Sequence, residues 1–128
     1  MDLSPGRSAE RTHAVGAEDT AAALGSGSLP VLGTPRLLAW VEGATVAALD
    51  GALDAGATSV GTHVDLRHLA PSALGDVVTV LATLTGVEDG RLTFDVEATS
   101  PDGDVLARGT VTRAVVDEVR FTARLARP

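Results

Sequence analysis

The side chains whose types acid–base or nucleophilic chemistry uses include the hydroxyl of Thr34, the carboxylate of Glu42 and the imidazole of His68. A carboxylate can activate water as a general base or attack a carbonyl directly, and an imidazole can shuttle a proton. A hydroxyl can position water or act as the nucleophile. The chain contains no cysteine, so hydroxyl and carboxylate chemistry remain as the nucleophilic options.

Glu42 lies on a predicted helix that starts at Thr34-Pro35, since Thr is a good N-cap residue and Pro suits the first helical position. Apolar and small residues then recur within one stripe of the helix, at Leu38, Val41, Thr45, Ala48, Leu49 and Ala52. Glu42 stands at the flank of this stripe, about 20° from Leu49. Because carboxylates are rarely buried without a partner, Glu42 is either a functional group or a side chain that reaches solvent from the stripe edge.

The segment after this helix alternates with a period of two, which predicts a strand. One face carries Val60, Thr62, Val64, Leu66 and His68, and the other carries Gly61, His63, Asp65 and Arg67. His68 is then either a proton-transfer group or a satisfied core histidine, while His63 is a solvated residue. Gly61 allows a ligand to approach the backbone closely, or it marks a bulge or a packing gap.

The remaining elements predict an α+β fold of one domain over residues 12–128, preceded by a flexible N-terminal arm over residues 1–11. A short strand near residues 13–15 and the long helix precede a meander of four antiparallel strands, with turns at residues 88–90 and 101–103. One amphipathic helix cannot cover both faces of such a sheet, so we expect a curved sheet of about five strands wrapped round the helix. The outer face and the sheet edges favour a dimer.

Composition excludes several classes of protein. The chain has 17 acidic and 10 basic residues and a net charge of −7, which argues against nucleic-acid binding. Three histidines and no cysteine leave little for a metal site, and none is expected. The start lacks an apolar leader segment, and the apolar-rich stretch 37–49 is too short to span a bilayer, so we expect a cytoplasmic protein. The high content of Ala, Gly and Arg and the absence of Lys suggest a bacterial genome that is rich in GC.

Several short segments together resemble the fluoroacetyl-CoA thioesterase-like branch of the hotdog superfamily. They are Thr34, the motif VEGA at 41–44, TSVGT at 58–62, HLAP at 68–71, GRLTF at 90–94 and RGT at 108–110. The resemblance implies a hotdog fold and a homodimer that hydrolyses a small acyl thioester of CoA, or of a carrier protein. It implies that Thr34, Glu42 and His68 are the reactive side chains and that Gly61 is a backbone donor. Coenzyme A would enter as part of the substrate, with no separate cofactor.

The arginines are candidates for contact with the phosphates of coenzyme A, because the chain has no lysine. The candidates are Arg67, Arg113, Arg120 and Arg124, of which we assign Arg113 to the substrate site together with Gly61.

The sequence departs from the family before Thr34, where the fluoroacetate-specific enzyme has bulky aromatic residues. Here residues 25–32 read GSGSLPVL, so specificity for fluoroacetyl-CoA is not expected even where hydrolysis is. Two other functions are possible on this fold: a non-catalytic domain that binds acyl thioesters, and a hydratase or dehydratase. The Asp/His dyad usual for the latter is not evident, and a pure binding domain has no need of all three reactive side chains.

The spacing of Thr34 and Glu42 raises a geometric question. In a straight helix the eight intervening steps separate them by about 12 Å along the axis, so their side chains cannot touch within one subunit. Either the helix begins later, or Thr34 meets Glu42 or His68 of the partner subunit. We favour a site shared between two subunits.

Overall fold

The structure is a computed structural model that describes residues 3–126. Its strands are β1 (Ser8–Ala14), β2 (Ala57–His68), β3 (Val77–Glu88), β4 (Arg91–Thr99) and β5 (Val105–Asp117). Its helices are α1 (Ala21–Leu24), α2 (Thr34–Ala48) and α3 (Glu118–Ala123), and a 3-10 turn covers Ala17–Asp19.

The five strands form one antiparallel sheet in the order β1-β3-β4-β5-β2, and α2 packs against one face of it. The core consists of the buried face of α2 and the facing side chains of β3, β4 and β5, with Phe94 fully buried among them. The predicted α+β arrangement of a five-stranded sheet around one long helix is confirmed. Within residues 3–126, no helix is both long and apolar enough to cross a membrane.

Helix α2 buries Leu37, Val41, Ala44, Thr45 and Ala48. The buried stripe therefore begins at Leu37 instead of the predicted Leu38, which is half-buried. The two positions are about 100° apart around the helix axis, and packing against the sheet buries Leu37. The N-cap residue is Gly33, so the predicted capping role of Thr34 is wrong.

Strand β1 is longer than the sequence suggests. It starts at Ser8 and pairs with β3 through Ala14, so residues 8–11 belong to the sheet and the arm predicted over residues 1–11 is too long. The strand lies at the edge of the sheet and is mostly exposed. Because neither face of this edge strand is fully buried, its sequence does not alternate between apolar and polar residues. Residues 1 and 2 lie outside the described residues.

The two predicted turns of the meander are confirmed. Asp89 and Gly90, between β3 and β4, have φ values of 51° and 78°, as the two central residues of a tight hairpin turn require. The turn at residues 101–103 joins β4 to β5.

A bulge changes the phase of β2. Its register with β5 shifts between Gly61 and His63, so one extra residue interrupts the alternation. Gly61 consequently faces α2, on the same side of the sheet as Val64 and Leu66, which pack against the core. The prediction that Gly61 and His68 lie on opposite faces is wrong for this reason. Of the alternatives that the sequence offers for Gly61, the bulge is present.

Candidate active site

Thr34 and His68 form the first polar pair of the site. Thr34 Oγ1 lies 2.8 Å from His68 Nδ1, although the two residues are 34 positions apart in sequence. Thr34 opens α2 and His68 closes β2, so the pair joins the start of the helix to the end of the edge strand. A hydroxyl at hydrogen-bond distance from an imidazole is an arrangement that can pass a proton between them.

Backbone contacts hold the start of α2 against the chain that follows β2. Leu32 N–H donates to the carbonyl of Ser72 at 2.8 Å, and Val31 forms a bridge with Ala73. Gly33 N–H donates to the carbonyl of Asp19 at 2.9 Å. These contacts of residues 31–33 fix the main chain that leads directly into Thr34.

The environment of His68 favours its neutral form. Partial burial of the ring lowers the pKa of His68 below its usual value of 6.5. The neutral imidazole keeps a lone pair that can accept a proton. His68 Nε2 is buried and has no hydrogen-bond partner among residues 3–126, and a buried polar atom of this kind is normally paired with a water or a ligand.

Glu42 belongs to a second polar group, with Arg113 and Ser59. Arg113 Nη1 donates to Glu42 Oε2 at 3.3 Å, while its Nε and Nη2 donate to the hydroxyl and the carbonyl of Ser59 at 2.9 and 3.1 Å. The Arg113 side chain is only 8% exposed, against 32% for Glu42. The arginine thus fixes one carboxylate oxygen from the protein side and leaves the carboxylate accessible from the other.

Gly61 completes this second group. It pairs with Arg113 across β2 and β5, and a Cβ added at Gly61 would collide with Glu42 Oε2. The absence of a side chain at Gly61 is therefore what admits the Glu42 carboxylate to the sheet.

The structure brings the predicted site residues together as two groups rather than one. Thr34 and His68 form the first group; Glu42, Gly61 and Arg113 form the second. Helix α2 begins at Thr34 and continues unbroken to Ala48, so the alternative of a later helix start is excluded. About 12 Å of helix separates Thr34 from Glu42 along the axis.

Sequence reasoning missed two features of the site. Ser59 was not singled out, although it lies two residues before Gly61 and therefore on the same face of β2. Arg113 was assigned to substrate contact, whereas its buried guanidinium contacts Ser59 and Glu42. The remaining histidine, His13, stacks on Trp40 with ring centroids 4.4 Å apart. The described residues contain no cluster of three His, Cys, Asp or Glu able to hold a metal ion.

Comparison with known proteins agrees with this architecture. The family model for the fluoroacetyl-CoA-specific thioesterase FlK matches residues 15–119. A fluoroacetyl-CoA thioesterase of Streptantibioticus cattleyicolor is 36% identical over 96 residues, which cover 74% of this chain and 68% of that protein. The solved structure of a threonine-to-serine mutant of FlK in complex with acetyl-CoA superposes with a TM-score of 0.89, at 29% identity and 96% coverage of both chains.

A hot-dog-like protein from Thermanaerovibrio acidaminovorans has a TM-score of 0.86 at 29% identity, covering 94% of this chain and 89% of that one. The hotdog fold expected from the sequence is thereby confirmed. Since the family model covers most of the chain, this protein belongs to the fluoroacetyl-CoA-specific thioesterase family.

Proposed function

We propose that this protein hydrolyses the thioester of a small acyl-CoA to the free acid and coenzyme A. The observation that carries the proposal is the Thr34–His68 pair, which lines an open cavity of about 340 Å³ at the start of α2. A hydroxyl and a largely neutral imidazole beside such a cavity fit acyl transfer from a thioester, whose carbonyl is already electrophilic. The family to which the chain belongs supports the same reaction.

In the mechanism we propose, Glu42 accepts a proton from water, and the water oxygen attacks the thioester carbonyl carbon. Thr34 positions that water, and a backbone N–H at Gly61 polarises the carbonyl. When the carbon–sulfur bond breaks, the proton that Glu42 took from water passes through the His68 imidazole to the departing thiolate, which restores the Glu42 carboxylate and the neutral imidazole. Arg113 is a positioning residue that holds the Glu42 carboxylate. An acyl-enzyme trapped on Thr34 or Glu42 and detected by mass spectrometry would instead establish the covalent route.

We further propose that one active site combines Thr34 and His68 of one subunit with Glu42 and Gly61 of the partner subunit. Strand β2 is at the edge of the sheet and carries both Gly61 and His68. If two β2 strands paired antiparallel about a twofold axis near residues 64 and 65, Gly61 of one copy would lie opposite His68 of the other. A homodimer would then contain two active sites, and each site would combine the first group of one subunit with the second group of the other.

The reaction and the composition of the chain also bear on its cofactors, partners and location. The substrate brings coenzyme A with it, and no resident cofactor or metal is required. The acidic balance of the chain argues against a nucleic-acid partner. We place the protein in the cytoplasm of a bacterium, where acyl-CoA thioesters are formed.

An assay with acyl-CoA thioesters and a thiol-reactive dye tests this function. We expect the full chain to release free thiol and acid in equal amounts, and His68→Ala to lower the rate by about a hundredfold because the proton donor is removed. His63→Ala is the comparison on the same strand, since it removes an exposed imidazole that is not the proton donor, and its rate should be well above that of His68→Ala.

One result of this assay would favour the rival function. Saturable binding of acyl-CoA without thiol release would identify a binding domain and contradict the proposed hydrolysis.

A further inference from the structure

The cavity beside Thr34 and His68 has a predominantly apolar wall. Besides those two residues and Ser26, it is lined by Ala21, Val31, Leu32, Leu69, Ala70 and Pro71. Within residues 3–126, no phenylalanine or tryptophan side chain lines this cavity. Its volume of about 340 Å³ falls at the lower end of the range for small-molecule sites, and it is large for a two-carbon acyl group.

Leu69 forms an exposed part of this wall. Its side chain follows directly after His68 in sequence, and the residue is 56% exposed. Its N–H donates to the carbonyl of Leu106 at 2.8 Å, so the main chain is fixed, while no other part of the same chain covers the apolar side chain fully. An exposed leucine beside a reactive polar pair offers contact area to an apolar part of a substrate.

Two parts of an acyl-CoA could occupy the cavity, and the wall distinguishes between them. The pantetheine arm carries two amides, and amides placed against alanine, valine, leucine and proline side chains would lose their hydrogen bonds to water. A hydrocarbon chain has no hydrogen bonds to water to lose, and its transfer from water to an apolar surface is favourable. The apolar wall therefore suits the acyl group better than the thiol arm.

We propose that this cavity binds an unbranched aliphatic acyl chain longer than acetyl, such as butyryl or hexanoyl, and that Leu69 is a specificity-determining residue. The inference rests on the proposed function and names its substrate class. It sets this chain apart from the two-carbon substrate in the name of its fluoroacetyl-CoA-specific relatives.

The test is the dependence of kcat/KM on acyl length, measured with acetyl-, fluoroacetyl-, butyryl- and hexanoyl-CoA. Each added methylene that enters the cavity should raise kcat/KM by about fourfold. Leu69→Ser should lower kcat/KM for butyryl- and hexanoyl-CoA by about tenfold and leave acetyl-CoA within about twofold of the wild type. Leu125→Ser is the matched control, because Leu125 is 66% exposed and does not line the cavity.

Three results would overturn the inference. The first is a wild-type profile that falls from acetyl or fluoroacetyl towards hexanoyl. The second is an equal loss with every substrate in Leu69→Ser, which would place the thiol arm in the cavity. The third is an unchanged chain-length profile in Leu69→Ser.

Binding of the same acyl-CoA series, measured by calorimetry, separates this inference from the proposed hydrolysis. A preference for hexanoyl-CoA that Leu69→Ser removes would support the cavity assignment even if no thiol were released. In that outcome the proposed function alone would fail.

Discussion

Glu42→Gln is expected to lower kcat for acyl-CoA hydrolysis by at least about a hundredfold. The amide has nearly the shape of the carboxylate, yet it cannot accept a proton from water. It also leaves the Arg113 guanidinium, which is nine-tenths buried, without its charged partner. Steady-state kinetics with butyryl-CoA measures the loss, and a thermal melt of the same sample shows whether the fold is retained.

Glu97→Gln is the matched control for this substitution. Glu97 pairs with Arg108 at 3.3 Å, the same distance as the Glu42–Arg113 pair, but it lies on the opposite face of the sheet. Exposed pairs of this kind contribute little to stability, so both kcat and the melting temperature should stay near wild-type values. Near-wild-type hydrolysis by Glu42→Gln would remove Glu42 from the mechanism.

Gly61→Ala is expected to lower kcat/KM by about a hundredfold, because the new methyl group would collide with Glu42 Oε2. The carboxylate must then swing away from the sheet, and a displacement of about 1 Å is enough for a loss of this size. The substitution keeps the Gly61 N–H. A loss of activity therefore reports the displacement of the Glu42 carboxylate and not a missing backbone donor.

Gly86→Ala provides the comparison for the added methyl group. Gly86 also lies in a strand beside a register shift, and a Cβ there would meet Thr93 Cβ at an ordinary 3.7 Å. Full activity should be retained in Gly86→Ala. If Gly61→Ala were equally active, the close packing of Glu42 on Gly61 would have no catalytic importance.

Local sequence patterns were sufficient for the helix and the meander. The 3.6-residue period identified α2 and placed Val41, Thr45 and Ala48 on its buried face, and the Asp89-Gly90 pair marked the hairpin between β3 and β4. These features depend on neighbouring residues alone, which is why a single sequence reveals them.

Features that depend on distant residues were not predictable in the same way. The bulge after Gly61 is set by the register between β2 and β5, and it reversed the face on which Gly61 was expected. Thr34 was interpreted as a helix cap, but its hydroxyl contacts His68 across the fold. Arg113 is 71 residues from Glu42, so nothing local could show that they form an ion pair.

The division of the site into two groups, with Thr34 and His68 apart from Glu42, is the central feature of the proposed mechanism. Mixing two variants that are inactive alone, Thr34→Ala and Glu42→Gln, tests it directly. Each mixed dimer would hold one site with both substitutions and one intact site, built from Thr34 of the Glu42→Gln chain and Glu42 of the Thr34→Ala chain.

The two variants are co-expressed with different affinity tags, mixed dimers are confirmed by sequential purification, and thiol release from butyryl-CoA is measured. If the site is shared between subunits, about half of the dimers formed by random pairing are mixed, and each of these has one intact site out of two. The unsorted mixture should therefore show about a quarter of the wild-type activity. Mixed dimers no more active than the separate variants, or a wild-type protein that is fully active as a monomer, would contradict the shared site.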